Sequence, residues 1–269
     1  MSLDEKAFIT PWNKIHQLVM KHMDHLITQN PNTLFLSCWD FDGTLLKGDI
    51  GEGLHTEKLH EYYGLVEEAI IRGFIPAYSG QSSLKLFWHE YKNIAQKNSL
   101  LKAYQFLVEC LYTIPQNNRD EFKELCKKLV DKHISNYFYA ETRSLMIALK
   151  KKKIFPVIIS ASPQILIDSV IHHFPVDPQF AFGVGDPAED KQVFNYAEGK
   201  VARIELASKY LRDKFNTEVT AIFAIGDSWD NDGAMMREIS RKGGLALCIN
   251  PRSTPNWVGN FNIHCTQLK

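Results

Sequence analysis

The sequence predicts an α/β fold, a doubly wound, mostly parallel sheet with an all-helical domain inserted into it. Three observations carry that expectation. Five short apolar runs recur along the chain, and the later ones alternate with amphipathic segments, the pattern of strand–helix units. Each run is apolar at consecutive positions, as a parallel strand covered on both faces reads. Between the first and second runs, residues 50–150 carry helical periodicity alone.

The elements follow in order. Trp12, Ile15, Val19, Met23 and Leu26 recur at spacings of three and four, predicting a helix over 12–26. Its polar face is mixed in sign, which suits packing on a core better than a membrane surface. Asn30-Pro31-Asn32 ends it. Strands are predicted at 34–39, 154–160, 180–184, 221–225 and 245–249, with helices at 164–173, 201–215 and 234–242. Within the long insertion, Leu84, Phe87, Trp88 and Tyr91 share a helical face, as do Leu100, Tyr104, Leu107 and Leu111, then Phe122, Leu125 and Leu129. An ordinary crossover needs only about 2–6 connecting residues plus one helix, so this much chain predicts a separate unit. The expected division is an α/β core from residues 1–48 and 146–269, with a helical domain at 49–145.

Composition excludes several classes. With 269 residues, 45% hydrophobic and 23% charged, the chain can build a large core and is not disordered. Lys plus Arg equals Asp plus Glu at 31 each, which argues against a broad electrostatic footprint for nucleic acid or anionic membrane. Cys38, Cys110, Cys126, Cys248 and Cys265 are scattered without C-x-x-C spacing, which fits a reducing compartment. Asp4, Glu5, Lys6, Lys14 and Lys21 leave no room for an apolar leader or spanning helix, so a cytoplasmic protein is expected. Leu34 to Cys38 looks superficially like a lipoprotein cleavage site, but Gln29-Asn30-Pro31-Asn32 precedes it where an apolar segment would be required.

Chemistry concentrates at the ends of the predicted strands. The first ends in Asp40-Phe41-Asp42-Gly43-Thr44. Carboxylates at i and i+2 leaving a strand point the same way, toward the edge where open α/β sheets bind ligands. Clustered acids repel unless they share a proton or cation, and a hard divalent ion such as Mg²⁺ is the natural partner. The second strand ends in Ser160-Ala161-Ser162, offering a hydroxyl and backbone N–H groups. The fourth ends in Gly226-Asp227-Ser228-Trp229-Asp230-Asn231-Asp232, and Lys200 sits at a predicted helix start. Such a set suits phosphoryl transfer, where positioning and charge neutralisation supply most of the acceleration.

In order and strand position, Asp40-Phe41-Asp42-Gly43-Thr44, Ser160, Lys200 and Gly226-Asp227 resemble the four motifs of the haloacid dehalogenase (HAD) superfamily. The likeness is greatest to its phosphoserine phosphatase-like branch, which inserts a helical, C1-type cap between motifs one and two. It spans roughly residues 34–250 in topology, though its specific content is those few residues. The resemblance implies a Rossmann-like core and a Mg²⁺-dependent phosphatase acting on a small phosphomonoester. It implies Asp40 as the nucleophile that forms an aspartyl-phosphate and Asp42 as the acid and then base. Thr44, Ser160, Ala161 and Lys200 would hold phosphoryl oxygens. Asp40, the Asp42 carbonyl and Asp227 would hold the metal. A carboxylate at Asp42 also separates phosphatases from dehalogenases, which expel halide and need no leaving-group acid.

One departure concerns the fourth motif, where the family's second acid usually follows the first by four residues. Asn231 stands there, so Asp232 is taken as the supporting acid, with Asn231 and Asp230 still open. Asp49, nine residues after Asp40, matches the acid that meets the substrate ammonium in phosphoserine phosphatase relatives. With Glu52 it would select an amine-bearing substrate such as phosphoserine, phosphocholine or phosphoethanolamine; the alternative use is a capped or solvated helix start. Arg72 is the candidate for a substrate carboxylate. The aromatics Phe74, Tyr78, Phe87, Trp88 and Tyr91 read first as helix–helix core and second as a box for a quaternary ammonium. Lys150 to Lys153 read as an exposed helix end, Lys191 as a rival to Lys200, and His172-His173 as structural, without metal-type partners nearby in sequence. Two other activities use the same parts: a phosphotransferase or phosphomutase, and a noncatalytic module that binds metal and phosphate.

Overall fold

A computed structural model describes residues 8–55, 60–187, 194–249 and 260–265, with side chains from 11 to 249 within those spans. Asp4, Glu5, Lys6, Lys191 and the Cys265 side chain lie outside it. The chain begins with β1 (Phe8–Pro11), α1 (Trp12–Gln29) and β2 (Leu34–Trp39). The long insertion holds β3 (Gly53–His55), β4 (His60–Tyr63), α2 (Leu65–Ile71), α3 (Ser83–Lys97), α4 (Leu100–Tyr112) and α5 (Gln116–Lys132). A 3₁₀ turn at Ile134–Tyr137 leads back into α6 (Ala140–Lys151) and β5 (Ile154–Pro163). Then come α7 (Gln164–Val170), a 3₁₀ turn at Ile171–His173, and β6 (Ala181–Val184). The chain closes with α8 (Glu198–Phe215), β7 (Val219–Gly226), α9 (Trp229–Arg241), β8 (Leu245–Ile249) and β9 (Asn260–Cys265).

Among the described residues the main sheet has seven strands in the order β1-β9-β8-β7-β2-β5-β6. The five expected strands form its parallel part, with Cys38 between Ala224 of β7 and Val157 of β5. β9 and β1 extend one edge antiparallel. Phe35, Leu36, Cys38 and Trp39 are buried because β2 is covered on both faces, which is why this strand reads as an unbroken apolar run. The chain leaves β2 for β5 on one side and later returns to β7 on the other. Order reverses at β2, and the crevice beyond its carboxyl end is where such sheets take ligands. Neighbouring strands lie about 4.8 Å apart, so residues leaving β7, β2 and β5 are within side-chain reach of one another.

The periodic face of α1 does what its spacing predicts: Trp12, Ile15, Val19 and Met23 are buried. Lys150 and Lys151 end α6 and are exposed, while Lys152 pairs with Asp24 of α1. Cys38, Cys110 and Cys126 are free and buried, and Cys248 is buried too. No described helix is long and apolar enough to cross a membrane.

The insertion is not all-helical. β3 and β4 pair antiparallel, Gly53 opposite Tyr63. Gly51, Gly53 and Gly64 weaken helix formation across this stretch, and Tyr62 and Tyr63 favour extended backbone. The boundary expected at 145/146 falls inside α6, whose Leu145, Met146 and Leu149 are buried. Two helices start earlier than predicted, and both shifts matter for the site. α8 begins at Glu198 and takes Lys200 into its first turn, and α9 begins at Trp229 and takes in Asp232.

Candidate active site

The carboxyl ends of β2, β7 and β5 bring Asp40, Asp227 and Ser160 into one crevice. Asp40 continues the ladder of β2, its N–H donating to the Ile225 carbonyl at 2.9 Å. The backbone thus fixes the carboxylate, which is 2% exposed. Thr44 Oγ1 donates to Asp40 Oδ2 at 3.0 Å, and Lys200 Nζ donates to Asp40 Oδ1 at 2.6 Å. The same ammonium donates to Asp232 Oδ1 at 2.5 Å, so one buried lysine joins two buried acids. Burial alone would push the Lys200 pKa down; Asp232 and Asp40 outweigh it and hold the ammonium charged. The Asp232 Oδ2 accepts from the N–H groups of Asp227 (3.1 Å) and Ser228 (3.0 Å), and Ser228 caps α9.

Two glycines allow this close assembly. Gly43 has φ +73°, and a Cβ there would lie 2.1 Å from Asp227 Oδ2. A Cβ at Gly226 would lie 2.3 Å from Asp232 Oδ2. The D-x-D-G turn and the G-D step therefore carry glycine for the room the acids need.

Asp40, Asp227 and Asp232 place carboxylate oxygens within 4.8 Å of one another. Their charges are not balanced by Lys200 alone. Burial, then repulsion from Asp232, raises Asp40 to about 7 despite the lysine. Burial, then Asp40 and Asp232, raises Asp227 to about 9. An all-oxygen set with surplus negative charge fits a hard divalent cation. In the same turn, Asn231 keeps a buried Oδ1 without a hydrogen-bond partner, an acceptor suited to the hydration shell of such an ion.

Asp42 is held differently. Its Oδ1 accepts the Ile50 N–H at 2.7 Å, while Oδ2 accepts the hydroxyls of Ser162 (2.7 Å) and Ser160 (3.1 Å). Burial and then Asp49 raise it to about 7, against these neutral donors. Ser160 also accepts from the Ser162 N–H at 3.0 Å. Asn195 Nδ2 bonds the carbonyls of Ser160, Phe182 and Gly183, fixing the end of β5 against β6. Ala161, between the two serines, is buried.

The insertion supplies a second acidic wall. Asp49 Oδ1 accepts from the N–H groups of Gly51 (2.7 Å) and Glu52 (2.8 Å), so the turn-capping use of this side chain is real. Burial, then Glu52, still raises Asp49 to about 7. Glu52 Oε1 accepts from Tyr91 Oη at 2.6 Å, and burial raises its pKa. Burial, then Glu52, raises the Tyr104 hydroxyl well above its ordinary value. Glu67, on α2, accepts from Trp88 Nε1 at 2.8 Å and faces His55 Nε2 at 2.9 Å.

Arg72 stands apart from this wall: its Nε donates to Glu68 at 2.8 Å and its side chain is half-exposed. The aromatics divide. Phe74, Tyr78 and Phe87 pack on Phe122, Phe106 and each other as helix core, whereas Trp88 and Tyr91 hold acids. Of the acids left open in the fourth motif, Asp232 joins Lys200 and the metal-competent cluster, Asn231 lies in the same turn, and Asp230 makes no bond there among the described residues. Ser162, Asn195 and Glu67 were not anticipated. Ser162 had a signal, since it lies two residues beyond Ser160 and points the same way. Glu67 did not: within a helix start it reads as solvated.

A family model described as haloacid dehalogenase-like hydrolase matches residues 38–237, well over half of the chain. No curated protein sequence matches. Among solved structures, a protein of unknown function from Bordetella pertussis Tohama I aligns with TM-score 0.57 and 13% identity, covering 77% of this chain and 87% of that one. A functionally unknown protein from Anaerococcus prevotii DSM 20548 gives TM-score 0.52 and 15% identity over 88% and 86% of the two chains. A phosphoserine phosphatase captured as a phospho-aspartyl intermediate analogue aligns at TM-score 0.43 and 16% identity, over 77% and 83%. The family match, with its motif residues gathered at the ends of β2, β5 and β7, makes this chain a member of the haloacid dehalogenase-like hydrolases.

Proposed function

We propose that this hydrolase is a Mg²⁺-dependent phosphatase that forms an aspartyl-phosphate on Asp40 and acts on a small, amine-bearing phosphomonoester. One observation supports this most: Asp40 is fixed by backbone, Thr44 and Lys200 beside the Asp227–Asp232 pair, while Asp42 stands two residues on with a separate set of neutral donors. Asp40, Asp227 and the Asp42 carbonyl would hold Mg²⁺, with Asp232 and Asn231 behind them. When bound, the ion supplies charge neutralisation for the phosphoryl oxygens.

The chain's own residues do the rest. An Asp40 oxygen attacks phosphorus, the P–O bond to the leaving group breaks, and Asp42 gives that oxygen its proton. Asp42 then takes a proton from the water that cleaves the acyl phosphate and regenerates Asp40. A carboxyl raised to about 7 is suited to both duties at neutral pH. Lys200 favours the ionised form of Asp40 and orients it, and with Ser160 and the Ala161 N–H would receive phosphoryl oxygens. The Thr44 hydroxyl, spent on Asp40, would contribute by positioning that carboxylate. Residues 49–145 would act as a cap that excludes water during transfer.

Charge favours the amine. Among the described residues no lysine or arginine forms an ion pair with Asp42, Asp49 or Glu52, and Lys92 influences Glu52 only weakly. A dianionic phosphate entering beside such a wall meets repulsion unless its other end carries a positive charge. A substrate carboxylate would add a third repulsion, and Arg72 is engaged with Glu68. Phosphocholine and phosphoethanolamine therefore suit the wall better than phosphoserine. The test is Mg²⁺-dependent release of inorganic phosphate from a panel of phosphocholine, phosphoethanolamine, phosphoserine, a neutral sugar phosphate and para-nitrophenyl phosphate. Equal rates on cationic and neutral substrates would contradict the amine assignment; transfer to an added alcohol in preference to water would contradict hydrolysis.

A further inference from the structure

A second cluster lies on the outer surface, away from the acids of the sheet edge. His172 and His173 occupy the 3₁₀ turn after α7, and Asp131 lies in the last turn of α5, 41 positions earlier in the chain than His172. Both ring Nε2 atoms converge on Asp131 Oδ1, each at 2.8 Å, with the two ring centroids 4.2 Å apart. Consecutive side chains in a 3₁₀ turn diverge by roughly a third of a circle, so their convergence on one oxygen is built by the packing around them. Among the described residues Asp131 makes no ion pair with a lysine or arginine, and all three side chains retain access to solvent.

We propose that Asp131, His172 and His173 bind a borderline first-row divalent cation, Zn²⁺ above all, distinct from the hard-ion cluster of Asp40, Asp227 and Asp232. Two imidazole nitrogens and one carboxylate oxygen are a three-ligand zinc set with a fourth position for water. Bond lengths of about 2.0–2.2 Å in a tetrahedron put ligand atoms about 3.3 Å apart, so the observed separations need open only slightly. The donor types sort the metals: imidazole suits zinc, whereas Mg²⁺ takes oxygen and keeps its water.

The site would staple the insertion to the core, because α5 belongs to one and the histidine turn to the other. It also sits against the return hinge. The His173 ring lies 5.4 Å from Phe138, which bridges to Leu46 and packs on Phe174 at 4.9 Å. Phe174 in turn meets Phe41, the residue between Asp40 and Asp42, at 5.7 Å. A cation holding the histidines would therefore fix the hinge that carries the insertion.

The experiment titrates Co²⁺, a spectroscopic substitute for Zn²⁺, into the intact protein in excess Mg²⁺, which occupies the carboxylate cluster. One equivalent should develop the intense visible bands of a nitrogen-containing tetrahedral site, and Zn²⁺ should bleach them. The bands should vanish in the His172→Ala/His173→Ala double variant and weaken in Asp131→Asn, which keeps an acceptor oxygen but loses the charge. Zn²⁺ at about a hundredfold excess over its Kd should raise the Tm of the parent by about 5 °C and leave the double variant unmoved. Absence of the bands in the parent, or identical bands and Tm shifts in the double variant, would overturn the site. Neither readout depends on turnover.

Discussion

Two groups of acids meet at the Asp40–Asp42 turn, and they are held in different ways. At the sheet edge, Asp40 and Asp232 share the buried ammonium of Lys200, and Asp227 joins them within metal-ligand distance. On the insertion side, Asp42, Asp49 and Glu52 are held by backbone N–H groups, serine hydroxyls and a tyrosine. The first group is partly neutralised by Lys200, and the proposed Mg²⁺ would supply the remaining positive charge. The second has only neutral hydrogen-bond donors among the described residues, which is why the proposed substrate brings a positive charge. On the proposed function, the pairing with Lys200 marks the nucleophile's group, while Asp42 with Asp49 and Glu52 joins proton transfer to selection of the substrate's charge.

The sharpest way to break this contrast is at the nucleophile. Asp40→Asn should abolish phosphate release, by on the order of 10⁴-fold or more in kcat, while the fold survives. Residual activity comparable to the parent would remove the distinction between the groups. Next in size is Lys200→Met, which leaves Asp40 and Asp232 buried without their cation. Chemical denaturation without Mg²⁺ should record a loss of about 3–5 kcal/mol, since removing one partner of a buried pair strands the other charges.

A third measurement compares the groups by pH. Asp40, Asp42 and Asp49 lie at about 7 and Asp227 at about 9 when folded, above their unfolded values. The folded chain therefore binds more protons than the unfolded one between about pH 4 and pH 9. Metal-free stability should be highest below the ordinary carboxyl range and fall as pH rises through 7 toward 9. Mg²⁺ should flatten the part due to Asp40 and Asp227 and leave the part due to Asp42 and Asp49. A profile rising with pH would contradict the assignment. The smaller effects lie on the insertion side. Asp49→Asn should lower kcat/KM for phosphocholine about tenfold relative to a neutral phosphomonoester, as expected for one charge pair. Tyr91→Phe, which only frees Glu52, should change that ratio by about threefold.

The parallel strands are legible in the sequence because burial on both faces leaves an uninterrupted apolar run, as at 34–39 and 245–249. β1 and β9 are not, because their antiparallel pairing depends on ends of the chain far apart in sequence. The β3–β4 hairpin was missed because only four residues of each strand or fewer carry it, too few for a period to register. The motif acids were legible since each leaves a strand beside glycine. Glu67 and Asn195 were not, because their partners Trp88 and Ser160 come from other elements. Likewise His172 and His173 looked structural until α5 brought Asp131 to them.

The central claim is that Asp40 takes the phosphoryl group. Rapid acid quench of the Mg²⁺-loaded protein during turnover of radiolabelled phosphomonoester, followed by peptide mapping, tests it directly. The label should reside on the peptide containing Asp40 and be missing from Asp40→Asn. Steady turnover with label on another residue, or unaffected in Asp40→Asn, would contradict it.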